Sequence, residues 1–188
     1  DTKVGKFLFG ISDYFENIAN NEIISIAQDK SGIFWLGSQS SGVYLWDPTL
    51  EYIDNYRYQK NAVNSLQGNA VWVIQAQQNN PQKLWVGTSQ GLNTVDVEKH
   101  EVAKVAITLP NNTLLNNIDV QGVFPFKKDL VLFSTAQGLL LYDQSTERVL
   151  PYQYNDEINA ILAKAHYSVF LQNKRYLWLA YGLSLIHI

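Results

Sequence analysis

Apolar and polar residues alternate over four stretches of the chain: Ile23 to Ala27, Val71 to Ala76, Val120 to Phe124 and Ile158 to Leu162. Period-two alternation predicts strands with one face buried. A polar turn follows each stretch, clearest in Asp29-Lys30-Ser31-Gly32. An Asp that opens a turn can accept from backbone N–H groups ahead of it, and a Gly that closes one tolerates positive φ. Asn79-Asn80-Pro81-Gln82-Lys83 takes the same place with other residues. An aromatic-rich run comes next, then a short turn ending in Gly, then a third apolar run. The block Leu84-Trp85-Val86-Gly87-Thr88-Ser89-Gln90-Gly91-Leu92, with Asp96 beyond it, shows the whole pattern. An earlier copy runs from Phe34-Trp35-Leu36-Gly37-Ser38 to Gly42 and Asp47, and a later one from Val131 to Ser134-Thr135, Gly138-Leu139 and Asp143. Tyr176-Leu177-Trp178-Leu179-Ala180 begins a fourth. Fourth strands are predicted over Ile53 to Tyr58, Val102 to Thr108 and Val149 to Tyr154.

Trp35, Trp85, Leu132 and Trp178 are the equivalent positions, spaced 50, 47 and 46 residues apart. Four short strands in a repeat of roughly 45–50 residues is the signature of propeller blades. The fold class predicted is therefore all-β, a β-propeller fragment of about three and a half four-stranded blades. The repeats fall near 21–58, 69–108, 117–154 and 156–182. Asn155 to His166, Ala-rich with an Asn/Asp start, also has the makings of a short helix; its place in the repeat assigns it to a strand ending near Leu162. The large apolar residue at the repeat position is expected to pack between blades. Gly37 and Gly87 are expected to let neighbouring backbone come close.

Composition narrows the function classes. Charged residues are only 16% of the chain and aromatic residues 13%, with 5 Trp and 11 Tyr. Net charge is −3, and no basic run exceeds two residues, so there is no nucleic-acid footprint. No apolar run is long enough to span a membrane. Cysteine is absent, which removes disulfides, thiolate metal sites and thiol nucleophiles.

The repeat resembles that of the two-component regulator propeller family. The first copy carries the resemblance best, through Asn21, Ile23, Ile26, Asp29, Gly32, Phe34, Trp35, Leu36, Gly37, Ser38, Gly42, Val43 and Asp47. The second keeps Asn69, Val71, Ile74, Trp85, Gly87, Thr88, Gly91, Leu92 and Asp96 but lacks the Asp-x-x-Gly turn. The third has no Trp, and the fourth departs after Trp178 at Ala180-Tyr181. The resemblance implies a seven-bladed ring outside the inner membrane of a Gram-negative bacterium. It implies a transmembrane helix and a histidine kinase or diguanylate cyclase module elsewhere in the protein, and a homodimeric intact receptor.

Both ends read as cut. Lys6 to Tyr14 fits the outer strand of a preceding blade. The stretch Leu183-Ser184-Leu185-Ile186-His187-Ile188 does not continue the repeat, and equals the translation of CTG TCT CTT ATA CAC ATC, a transposon adapter end used in library preparation. Residues 183–188 are therefore expected to be adapter-derived, which resequencing the locus tests. A seven-bladed ring at this period needs roughly 330 residues. Residues 1–182 alone are then expected to expose strand edges and to be poorly soluble.

Candidate chemistry is sparse. His100 falls in the polar loop Glu98-Lys99-His100-Glu101, His166 lies beside Tyr167, and His187 is in the tail; no pair has metal-ligand spacing. Asp29, Asp47, Asp96 and Asp143 recur at matched positions, as turn caps do and an active site does not. Asp156 and Glu157 are neighbours on the expected strand and would point to opposite faces. No catalytic residue, metal site or cofactor is predicted. Aromatic residues away from the packing position are the candidates for ligand binding: Trp72, on the expected innermost strand, and Trp46 and Tyr44. Asp29, Gly32, Trp35, Gly37, Gly42, Trp85, Gly87, Thr88, Gly91, Gly138 and Trp178 read as structural. The function expected is a periplasmic, non-enzymatic sensor segment for a small-molecule or glycan ligand, tied to the membrane only through other segments. The alternatives are a propeller lyase or glycosidase, with acids or His in the funnel, and a protein-interaction scaffold.

Overall fold

The structure, a computed structural model, describes residues 18, 21–49, 52–151, 156–163, 168–172, 176–181 and 184–187. Three four-stranded antiparallel sheets follow one another, each in simple chain order. The first holds β1 (Ile23–Gln28), β2 (Phe34–Ser38), β3 (Val43–Asp47) and β4 (Tyr52–Tyr56). The second holds β5 (Val71–Ala76), β6 (Lys83–Thr88), β7 (Gly91–Asp96) and β8 (Glu101–Val105). A two-stranded ribbon, β9 (Ile107–Thr108) with β10 (Leu114–Leu115), precedes the third sheet. That sheet holds β11 (Val120–Pro125), β12 (Leu130–Thr135), β13 (Gly138–Asp143) and β14 (Arg148–Leu150). Helix α1 (Asp156–Leu162) leads to a three-stranded sheet of β15 (Ser168–Gln172), β16 (Tyr176–Tyr181) and β17 (Ser184–His187). The expected strands are present in the first three repeats; the fourth strands of the first two end at Tyr56 and Val105 rather than Tyr58 and Thr108, and residues 152–154 of the third lie outside the described residues.

Side chains write the turns. Between β1 and β2, Asp29 Oδ1 accepts from the Ser31 N–H at 2.9 Å and the Ile33 N–H at 3.2 Å, and Gly32 closes the turn at φ +92°. Between second and third strands one hydrogen bond recurs three times. Ser38 Oγ donates to Gly42 O at 2.9 Å, Thr88 Oγ1 to Gly91 O at 2.9 Å, and Thr135 Oγ1 to Gly138 O at 2.7 Å. After the third strand, Asp47, Asp96 and Asp143 accept from the N–H groups of Thr49, Glu98 and Ser145. These three Asp are equivalent. Asp29 is not: it closes the first strand, where the second and third sheets carry Gln77 and Phe126, so the matched set is three residues rather than four.

The core lies in the seams between sheets. Trp35, fully buried, packs with Leu66, Val71, Ile74, Leu84 and Val86 of the next repeat. Trp85 packs with Val120, Val123, Phe133 and Tyr142 of the one after. Leu132 joins Leu139 and Leu162. Trp35 and Trp85 are thus inter-sheet anchors, as expected, while Leu132 meets its own sheet and helix α1; the Trp178 side chain lies outside the described residues. Gly87 also behaves as expected, since a Cβ there would stand 2.5 Å from the Val120 carbonyl oxygen; at Gly37 the close neighbours are instead the side chains of Ser25 and Val71.

A further expectation fails in the fourth repeat. Ile158 to Leu162 is helix, not strand, and the first strand of the fourth sheet is Ser168–Gln172. Asp156 and Glu157 open the helix, where carboxylates favour the N-terminal dipole. Leu162 packs into the third core cluster with Ile161 beside it, and Gly138 abuts the backbone of Leu162 and Ala163. Residues 184–187 pair antiparallel with β16; a short apolar segment pairs in this way whatever its codons, so resequencing remains the test of its origin.

Candidate functional site

The first strand of each sheet lies against the first strand of the next: β1 against β5, β5 against β11, β11 against β15. These are the innermost strands. Three of them share an irregularity. Pairing with the second strand slips between Ile23 and Ser25, between Val71 and Val73, and between Val120 and Gly122. A bulge at a fixed place re-aims one side chain, here Ile24, Trp72 and Gln121. Two residues earlier, the carbonyls of Glu22, Ala70 and Asp119 accept from Gln39, Ser89 and Ala136 N–H groups in all three repeats. One end of the inner strands thus presents Glu22 and Ile24, then Trp72, then Asp119 and Gln121.

This end carries unmatched polar atoms. Gln121 Nε2 donates to Asp119 Oδ2 at 3.0 Å. Asp119 Oδ1, Gln121 Oε1 and Trp72 Nε1 are buried with no hydrogen-bond partner among the described residues. Each such atom costs about 1–3 kcal/mol. One is a donor and two are acceptors; a hydroxyl accepts and donates one proton, so a ligand with two hydroxyls can satisfy the set.

The three aromatic candidates do not share a site. Trp46 is half-buried and stacks on Phe34, its cross-strand partner, at 5.3 Å. Tyr44 is buried, and its hydroxyl accepts from Asn21 Nδ2 at 3.0 Å. Both belong to β3 and to the frame of the first sheet. Only Trp72 stands on an inner strand. Asp119 and Gln121 were missed because neither is aromatic nor part of the repeat motif; aligning the repeats on their bulges would have placed Gln121 with Trp72. His100 lies in a turn at φ +55°, as its loop position implied, and its Nδ1 meets Tyr56 Oη at 2.8 Å. His166 lies outside the described residues. Asp156 and Glu157 are exposed on the first helical turn. No group of three or more His, Cys, Asp or Glu gathers in metal-binding array among the described residues.

Sheets of four antiparallel strands in chain order, packed face to face through a repeated anchor, define part of a β-propeller. Residues 17–40 match the two component regulator propeller family, so the chain carries a repeat of that family. Among solved structures, the chain is similar to the extracellular domain of BT4673 from B. thetaiotaomicron, described both as a hybrid two component system and as a one component system. The TM-score is 0.69 and the identity 17%, over 89% of this chain and 24% of that one. It is also similar to the extracellular domain of BT3049 from the same organism, described as a hybrid two component system. There the TM-score is 0.64 and the identity 14%, over 88% of this chain and 28% of that one. The β-propeller domain of Cps50 (Swd1) from Myceliophteria thermophila matches with a TM-score of 0.56 and 15% identity, over 84% of this chain and 48% of that one. The chain spans about a quarter of the length of the two bacterial structures. No curated protein sequence matches it.

Proposed function

We propose that this chain is a segment of the ligand-sensing propeller of a bacterial transmembrane signalling protein, working on the periplasmic side of the inner membrane. The signalling protein is a hybrid two-component sensor kinase or a diguanylate cyclase, homodimeric when intact. The ligand is a small molecule or glycan fragment, and its first contact is the inner-strand end around Trp72, Asp119 and Gln121. The observation that carries the reading is the family repeat at residues 17–40. Fold similarity to two extracellular domains of the same class supports it, and so does the unmatched donor and acceptor set on the inner strands.

Reading the gene on both sides of this segment tests the proposal. More repeats, a transmembrane helix and a kinase or cyclase module are expected in frame. A ring that closes and stops, with acids or histidines gathered at its funnel, would replace the sensor with an enzyme.

A further inference from the structure

The two complete seams between sheets are built from equivalent positions but not from equivalent residues. In the first seam a chain of contacts shuts the gap. Trp35 Nε1 donates to Asp29 Oδ2 at 2.9 Å. The Trp35 ring stacks on Tyr56 at 5.7 Å. Tyr56 Oη meets Nδ1 of His100, across in the second sheet, at 2.8 Å. Leu45, opposite Trp35 in the ladder, fills the remaining space.

The strand registers give the counterparts in the second seam. Trp85 replaces Trp35, Gln77 replaces Asp29, Thr94 replaces Leu45, Val105 replaces Tyr56 and Glu147 replaces His100. His100 and Glu147 even share their backbone conformation, at φ +55° and +56°. The bridge between sheets is lost, because Val105 carries no ring to stack or hydroxyl to donate. In its place is a cleft of about 560 Å³, lined by all five of these counterparts. That volume falls within the range of small-molecule sites.

We infer that this opened seam between the second and third sheets is a binding slot for a neutral, hydroxyl-rich ligand, a short saccharide. The lining chemistry gives the class. Lys83 and Lys104 stand on the second sheet, Asp129 and Glu147 on the third. The charges balance, so the slot favours no net charge, yet both walls can hydrogen-bond. Asn79 Nδ2 donates to Asp129 Oδ1 at 2.7 Å, tying the sheets together at one edge of the cleft. At the base, Trp85 and Tyr142 meet edge to face at 6.2 Å and give an apolar floor. Burial, with Glu147 and Asp143 nearby, pushes the Tyr142 hydroxyl up to about 12, so it keeps its proton at any physiological pH. Saccharides present apolar faces and hydroxyl edges, which is the complement of such a lining.

The slot deepens the sensor reading, on which it rests, by adding a second contact region away from the inner strands. The test uses the intact protein encoded by the complete reading frame and a defined panel of neutral di- and trisaccharides, with affinity measured by calorimetry. One variant rebuilds the first seam in the second, Val105→Tyr with Glu147→His; the other is Glu147→Gln at an exposed position. At least one saccharide is expected to bind, weakened about tenfold or more in the rebuilt variant and less in Glu147→Gln, with the melting temperature kept. Val63→Ala, at an exposed position outside the lining of the slot, is expected to leave that affinity within about twofold. Binding unchanged in both seam variants overturns the slot, and binding lost only in Trp72→Ala overturns it in favour of the inner strands while leaving the sensor reading intact. Failure of every saccharide to bind also overturns the slot; the sensor reading is judged separately, by the neighbouring reading frame.

Discussion

Asp29 shows how much one side chain can settle. Its two oxygens serve different masters: Oδ1 organises the Ser31 to Ile33 turn, while Oδ2 accepts from the buried Trp35 indole. The turn and the inter-sheet anchor are thereby one unit, which explains an Asp six residues ahead of a Trp. Asp29→Ala is expected to cost about 1–3 kcal/mol in denaturant unfolding, because it leaves the indole N–H buried and unpaired. Burial raises the Asp29 carboxyl, but the hydrogen bonds from Ser31, Trp35 and Ile33 outweigh it and hold the group below its ordinary range. At Asp143 the Ser145 hydroxyl and backbone N–H likewise lower the carboxyl. A carboxylate with a lowered native pKa stabilises above its unfolded value, near 4, and that stabilisation fades as pH falls through the native one. Acid unfolding should therefore begin below about pH 4, and the Asp29→Asn protein should show a shallower pH dependence of stability there than the parent. Equal slopes would remove Asp29 from this account.

Alternation and motif spacing located the strands well, because sheets with one buried face leave a period-two trace. They failed between Asp156 and Leu162. There Ile158, Asn159, Ala160, Ile161 and Leu162 suit either element on pattern alone, and the acidic pair that favours a helix start was read as strand neighbours. Position in the repeat favours a strand and local propensity a helix, and in the fold propensity prevails. The bulges at Ile24, Trp72 and Gln121 were equally hidden, since one extra residue in a strand changes no residue type. Glycines offer a sharper element-level test. A Cβ at Gly87 meets a backbone oxygen, whereas one at Gly122 meets the far edge of the Phe124 ring, 2.5 Å away, which can turn aside. Gly87→Ala should cost about 1–3 kcal/mol as an overpacked contact, and Gly122→Ala distinctly less. The reverse order, measured by thermal unfolding, would mean the seam at Val120 yields more readily than its backbone contact implies.

At the scale of the whole molecule the equivalent positions Ile74 and Ile26 pose the question of what stands beside the first sheet. Ile74 is 6% exposed, covered by the preceding sheet; Ile26 is 65% exposed, and its bulged neighbour Ile24 is 39% exposed. The same apolar face is thus sealed in one repeat and open in the other. If another blade covers β1 in the intact ring, as the repeat implies, Ile26→Lys must act oppositely in two settings. In residues 1–182 expressed alone, it puts a charge on an open strand face and should reduce aggregation, read by light scattering. In the intact protein it buries an unpaired ammonium and should lower stability by at least about 2 kcal/mol. A variant that is harmless in the intact protein would mean that no blade packs on β1, and a sharp cooperative melt of monomeric residues 1–182 would show that three full sheets and part of a fourth suffice without their neighbours.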